Sequence, residues 1–170
     1  MPNLMKMADA KEALQDVLEV EVKSALPGWI CLSIAPELEA KRRVVEFFRS
    51  QMSDVREDLC EEVCLAIDEL LGNAMEHGCK IEPNCRCELT CIRTGRMVFI
   101  HVRDSGIGFD WSAITHSAVN NPPGNPLRHL QLRSKNGMRP GGFGIMLVKQ
   151  VADELIYNES GNEVAFVKYL

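Results

Sequence analysis

No stretch of this 170-residue chain approaches the roughly 20 consecutive apolar residues that a membrane-spanning helix needs. The opening, Met1 to Met7, has neither the basic start nor the long apolar core of a secretory leader. Positive charge is also short. Nineteen Lys and Arg stand against 24 Asp and Glu, a net charge of -5, which argues against a general nucleic-acid binder because neutralising phosphates takes a basic surface. The phosphate-loop pattern GxxxxGK[ST] occurs nowhere, and no internal repeat or linker divides the chain. What remains is ordinary for a globular protein: 46% hydrophobic and 25% charged residues, enough for one compact domain with its own core. The expectation is a cytoplasmic protein with no membrane and no direct nucleic-acid partner.

The cysteines are seven, an odd number without a CxxC pair: Cys31, Cys60, Cys64, Cys79, Cys85, Cys87 and Cys91. A zinc site from Cys79, Cys85 and Cys87 matches no common ligand spacing. Cys60 and Cys64 share a helical face, and Cys85, Cys87 and Cys91 one face of a strand. All seven are therefore expected to be small buried hydrophobes in a reducing compartment.

Periodicity supplies the elements. Leu14, Val17, Leu18 and Val22 give residues 8–24 a weakly helical spacing, and Pro27-Gly28 breaks it, so residues 1–26 are set apart as an extension and residues 27–170 as the domain. Trp29 to Ile34 is expected to be a strand. A helix should follow from Pro36, with Leu38, Val44, Val45, Phe47 and Phe48 on its apolar face. A second helix, N-capped by Ser53 or Asp54 with Glu57 near the capping-box position, should run through Leu59, Val63, Ile67 and Leu70 to a stop at Gly78. Residues 86–93 and 97–103 are expected to form a hairpin around Thr94-Gly95. From 105 to 142 Gly, Pro, Asn and Ser accumulate, which suggests a lid or binding loop. A helix over 143–154 and strands over 155–157 and 164–170 should close the chain. The reading is α+β, one mixed or antiparallel sheet covered by helices on one face.

Three segments carry chemistry. In Asp68-Glu69-Leu70-Leu71-Gly72-Asn73-Ala74-Met75-Glu76-His77-Gly78, the residues Glu69, Asn73 and His77 fall four apart on a polar helical face. A carboxylate, an amide and an imidazole in a row can polarise a nucleophile, hold a hard cation and approach phosphate; taken alone they read more simply as a solvated face. In Asp104-Ser105-Gly106-Ile107-Gly108, an Asp at a strand end can accept a hydrogen bond from an exocyclic amine, and the glycines admit a ligand close to the backbone. In Arg139-Pro140-Gly141-Gly142-Phe143-Gly144-Ile145, glycines open a helix whose free N–H groups and dipole suit phosphate oxygens.

Taken together, the order and spacing of these segments resemble the motif boxes of the GHKL superfamily, which includes gyrase and the histidine kinases. ELLGNAMEHG and RPGGFGIMLVKQVADEL are most similar to its anti-sigma factor serine/threonine kinase branch. The resemblance spans residues 29–170 and implies a Bergerat-type sandwich with a long ATP lid. It implies that Glu69 is the general base, that Asn73 ligates Mg²⁺ bridging the ATP phosphates, and that Asp104 receives the adenine amino group. Gly106 and Gly108 would line the nucleotide pocket, and Gly142, Phe143 and Gly144 the phosphate end. Arg139 would steady the γ-phosphate and His77 would lie near the phosphates. Asn162 occupies the neighbourhood where many relatives carry a Thr that supports the adenine-binding Asp.

The function so implied is phosphoryl transfer from ATP to a serine or threonine of an anti-sigma-factor antagonist of the STAS fold. A sigma factor is a further implied partner, and a homodimer the implied assembly. An ATP-gated binding module that transfers nothing is the alternative, disfavoured because an adaptor needs no base such as Glu69. A detached histidine-kinase catalytic domain falls behind, because no histidine precedes His77.

Overall fold

The computed structural model describes residues 14, 19–82, 84–108, 118, 121–122, 124–125, 127–137 and 142–170. Six strands form one sheet in the order β1-β2-β3-β4-β6-β5, and every neighbouring pair is antiparallel. They are β1 (Val20–Leu26), β2 (Trp29–Ile34), β3 (Cys87–Arg93), β4 (Met97–Arg103), β5 (Glu154–Tyr157) and β6 (Glu163–Tyr169). Four helices lie among the described residues: α1 (Leu38–Gln51), α2 (Glu57–Asn73), α3 (Arg128–Lys135) and α4 (Gly144–Val151). The α+β sandwich expected from the sequence is the fold observed.

The sheet is two-sided by the period of its strands. Ile30, Leu32, Leu89, Ile100, Val102 and Phe166 are buried on one face. The residues between them, such as Cys31, Thr90, Phe99 and His101, are half-buried. Helix α2 packs over β4 and β6 and is flanked by α1 and α4. Its Val63, Ile67, Leu70 and Leu71 recur at helical spacing and are buried, so one stripe meets the sheet while Glu57, Asp58 and Glu61 face water.

Several local expectations give way. Residues 20–26 are the edge strand β1, paired with β2 through a register shift between Val22 and Ser24, so the helical reading and the boundary at residue 27 both cut through the sheet. Leu14, helical and fully buried, joins the core cluster. Leu38 is 78% exposed and does not belong to the apolar face of α1. Neither Ser53 nor Asp54 caps α2, whose N-cap is Arg56 with no side-chain cap. Asp54 instead accepts from Arg93 at 2.5 Å, and Arg93 also donates to the Gln51 carbonyl at 2.5 Å. That pair ties the α1–α2 turn to the end of β3. Helix α4 stops at Val151, and Glu154 already belongs to β5.

The cysteines divide. Cys60, Cys64, Cys87 and Cys91 are buried free thiols, as expected, and Cys31 is a half-buried one. Cys79 and Cys85 are joined by a disulfide, which the expectation of seven reduced side chains did not include. Among the described residues no group of three or more His, Cys, Asp or Glu could hold a metal ion, and no helix is long and apolar enough to cross a membrane.

Candidate functional site

A cavity of about 240 Å³ opens between the end of α2, the N-terminus of α4 and the strand ends of β4 and β6. Asn73, His77, Asp104, Gly108, Gly142 and Gly144 line it, bringing together all three sequence segments. Residues some 70 apart in the chain meet because α2 and α4 are neighbours over the same sheet.

The end of α2 is shaped for this. After Asn73 the backbone widens into one π turn, Ala74–Gly78, closed by the Cys79 N–H donating to the Ala74 carbonyl at 2.8 Å. Such turns inside helices often occur at functional sites. The four-residue spacing of Glu69, Asn73 and His77 is therefore α-helical only as far as Asn73. Asn73 is half-buried, and its Nδ2 is buried with no hydrogen-bond partner among the described residues. His77 is exposed at the cavity wall.

The π turn also drives Gly78 against Asp104. A Cβ at residue 78 would stand 2.5 Å from Asp104 Oδ2 and closer still to Cγ and Oδ1, so a side chain there is incompatible with the carboxylate's position. Asp104 Oδ1 accepts the Gly106 N–H at 2.8 Å. Burial nonetheless raises the carboxyl above its ordinary pKa, the Gly106 hydrogen bond opposing the shift. Asn162 fastens the same corner from the turn before β6: its carbonyl accepts the Asp104 N–H at 3.1 Å, and its Nδ2 donates to the Asp104 and Gly106 carbonyls at 3.4 Å each. The amide thus braces the backbone around Asp104, which lines the cavity. Gly108 holds φ +74, and a Cβ there would collide with the Ser160 carbonyl, 2.6 Å from its carbon.

At the other end Glu69 is half-buried. It does not itself line the cavity but reaches Gly144, where a Cβ would overlap its Oε2 and lie 3.1 Å from Cδ. Glu69 therefore stands at the N-terminus of α4, beside the glycine that opens that helix. Its pKa is raised, chiefly by burial and then by Asp68, with Lys41 opposing and Glu76 adding to the rise. Lys41 lies on α1 and pairs with Asp68 at 2.7 Å.

Other members were not legible in advance. Arg133 of α3 is 9% exposed and lines the cavity; it lies in the irregular 105–142 stretch, where no periodicity marks an inward face. Tyr157, Val102 and Val164 complete the apolar wall and were read only as strand residues. Phe143, expected at the phosphate end, turns its ring edge-on to His129 at 4.5 Å between centroids. His129 is fully buried, its Nδ1 2.7 Å from Asn121 Nδ2, and burial, with Arg133 nearby, lowers its pKa. Arg139 lies outside the described residues.

A half-buried carboxylate at a helix opening, an amide with an unpaired nitrogen and a second carboxylate at an apolar wall thus lie at or beside one cavity. A family model described as the histidine kinase-like ATPase domain matches residues 34–168. The chain belongs to this family. No curated relative matches it. The matched residues run from the end of β2 to the penultimate residue of β6, and so include every wall of the cavity. As a histidine kinase-like ATPase domain the chain binds ATP, and the cavity lies within the matched residues.

Proposed function

We propose that this ATPase domain is a serine/threonine protein kinase of the anti-sigma factor type, transferring the γ-phosphoryl group of ATP to a STAS-type antagonist protein. The observation that carries the reading is Glu69: a half-buried carboxylate with a raised pKa, placed against Gly144 at the α4 N-terminus. A base poised nearer neutrality beside a phosphate cradle suits proton removal from a hydroxyl.

In this mechanism Asp104 accepts the adenine amino group, and Gly106 and Gly108 let the base lie close to the backbone. The N–H groups at the start of α4, from Gly142 through Gly144, face the phosphates, and Arg133 supplies positive charge from α3, with Arg139 as the lid arginine. The acceptor hydroxyl attacks the γ-phosphorus as Glu69 takes its proton, and the bond to the β,γ-bridging oxygen breaks to release ADP. The Asn73 amide, whose Nδ2 has no partner among the described residues, fits a Mg²⁺ site: turned to present Oδ1, it would give a hard oxygen donor, and the ion would neutralise phosphate charge there. A homodimer, a cytoplasmic setting and a sigma factor as second partner belong to the same proposal.

The test is incubation with γ-labelled ATP, Mg²⁺ and candidate STAS-domain proteins. Label should appear on serine or threonine, and Glu69→Gln should bind ATP as the parent does while losing at least about 100-fold in transfer. ATP binding with no labelled partner, together with ATP-dependent capture of that partner, would favour a gated binding module instead.

A further inference from the structure

Beneath the Asp104 end of the cavity lie three sulfur atoms that the ATPase reading does not use. Cys79 is bonded to Cys85, and the free thiol of Cys87 sits 3.6 Å from the Cys79 sulfur. Cys79 and Cys87 are buried, at 3% and 0% exposure, while Cys85 is half-buried, its sulfur 2.9 Å from the Ser105 hydroxyl. We propose that Cys79, Cys85 and Cys87 form a thiol–disulfide exchange centre, reached by a dithiol reductant, that sets the nucleotide affinity of the adjoining cavity. The coupling to nucleotide rests on the ATP-binding reading of that cavity; the exchange chemistry does not.

The disulfide grips Asp104 from two sides. Cys79 follows Gly78, whose Cα packs on the Asp104 carboxylate. Cys85 contacts Ser105, the residue after Asp104. Within the loop so closed, Lys80 and Ile81 hold positive φ angles of 52 and 57, a region disfavoured for any side chain and most for a β-branched one. Opening the bond lets this loop relax, and Gly78 is the first residue to move with it. In a reducing compartment, disulfides that persist are typically the exchanging ones.

Two exchanges are available. In the first, a thiolate of the dithiol attacks Cys85, the accessible sulfur. The Cys79–Cys85 bond breaks and Cys79 leaves with the electron pair and takes a proton. The second thiol of the reductant then displaces Cys85, which is protonated in turn. Two electrons and two protons pass to the protein, and the reductant becomes a cyclic disulfide. In the second, Cys87 loses its proton and attacks Cys79, Cys85 leaves and is protonated, and a Cys79–Cys87 bond replaces the original with no net oxidation. Burial, with Asp104 adding to it, pushes the Cys87 thiol up to about 12, so this route is the slower one. Where Cys85 is replaced, oxidised glutathione supplies the oxidation, Cys79 or Cys87 forming a mixed disulfide that the other thiol displaces with release of glutathione.

The test uses the full chain, oxidised with oxidised glutathione or reduced with dithiothreitol, acid-quenched, alkylated and mapped by peptide mass. Oxidised parent should yield linked Cys79 and Cys85 peptides, and reduction should free both. Cys85→Ser, reoxidised, should link Cys79 to Cys87; if both alkylate instead, the centre is refuted, and Cys85→Ala repeats the measurement should the first variant melt early. ATP titration by calorimetry should show reduced parent binding about fivefold more weakly than oxidised, the low end of usual site-to-site coupling. The double variant Cys79→Ser/Cys85→Ser should show the weaker affinity under both conditions. Equal affinity in the two redox states of the parent overturns the coupling. ATP binding in neither state, with the exchange pattern intact, sinks the nucleotide reading and the coupling with it, and leaves the exchange centre standing.

Discussion

Gly78→Ala isolates the contact on which the proposed adenine end of the site depends. Residue 78 has no positive φ, so alanine meets no backbone penalty there. Its methyl group, however, would stand 2.5 Å from Asp104 Oδ2 and nearer to Cγ and Oδ1, where carbon and oxygen need more than 3 Å. The carboxylate must move by an ångström or more, away from the Gly106 N–H that it accepts at 2.8 Å. A hydrogen bond involving a charged group contributes about 1.5–3 kcal/mol. If Asp104 receives the adenine amino group as proposed, its loss weakens ATP binding by roughly 10- to 150-fold. Overpacking of this kind costs about 1–3 kcal/mol of stability, so the fold should survive. Calorimetric titration with ATP, beside a thermal melt, reads both quantities. Gly95→Ala, with nothing within 4 Å of the added carbon, is the control and should bind as the parent. A folded Gly78→Ala chain with parental ATP affinity would refute the assignment of Asp104.

Two further outcomes are expected. Asp104 and Glu69 both have folded pKa values raised by burial, so the folded chain holds protons that the unfolded chain has released. Stability should therefore fall as pH rises from the ordinary carboxylate range through the raised values, and Asp104→Asn should flatten part of that slope in melts taken across the range. Phe166 is fully buried in β6 against the core, so Phe166→Ala should cost about 3–5 kcal/mol, measured by denaturant unfolding. A loss below 1 kcal/mol would mean that the sheet face is not packed as described.

The hairpin β3–β4 and the body of α2 were legible because each carries its own period: alternation on either side of Thr94-Gly95, and Val63, Ile67 and Leu70 at helical steps. These are local signals, and the burial they anticipate is the burial observed. The three site segments were legible for a related reason. A glycine before a helix and an acid at a strand end have few uses, and Asn73, Asp104 and Gly144 do line one cavity.

Where two periods competed, the chain alone did not decide. Val22 fits both the helical series from Leu14 and the alternation of Val20, Glu21, Val22 and Lys23; pairing with β2 selects the strand, because an edge of unpaired β2 backbone would otherwise face solvent. Asp54 could cap α2 or pair with Arg93, and the arrival of β3 beside it makes the ion pair. The Cys79–Cys85 bond, the π turn that presses Gly78 onto Asp104, and Arg133 at the cavity wall depend on distances between elements remote in sequence. Local sequence determined the β3–β4 hairpin, the body of α2 and the glycine that opens α4; only the packing of α2, α4 and the sheet decided which residues touch, since contact across a core is set by the shape of the whole and not by neighbours along the chain.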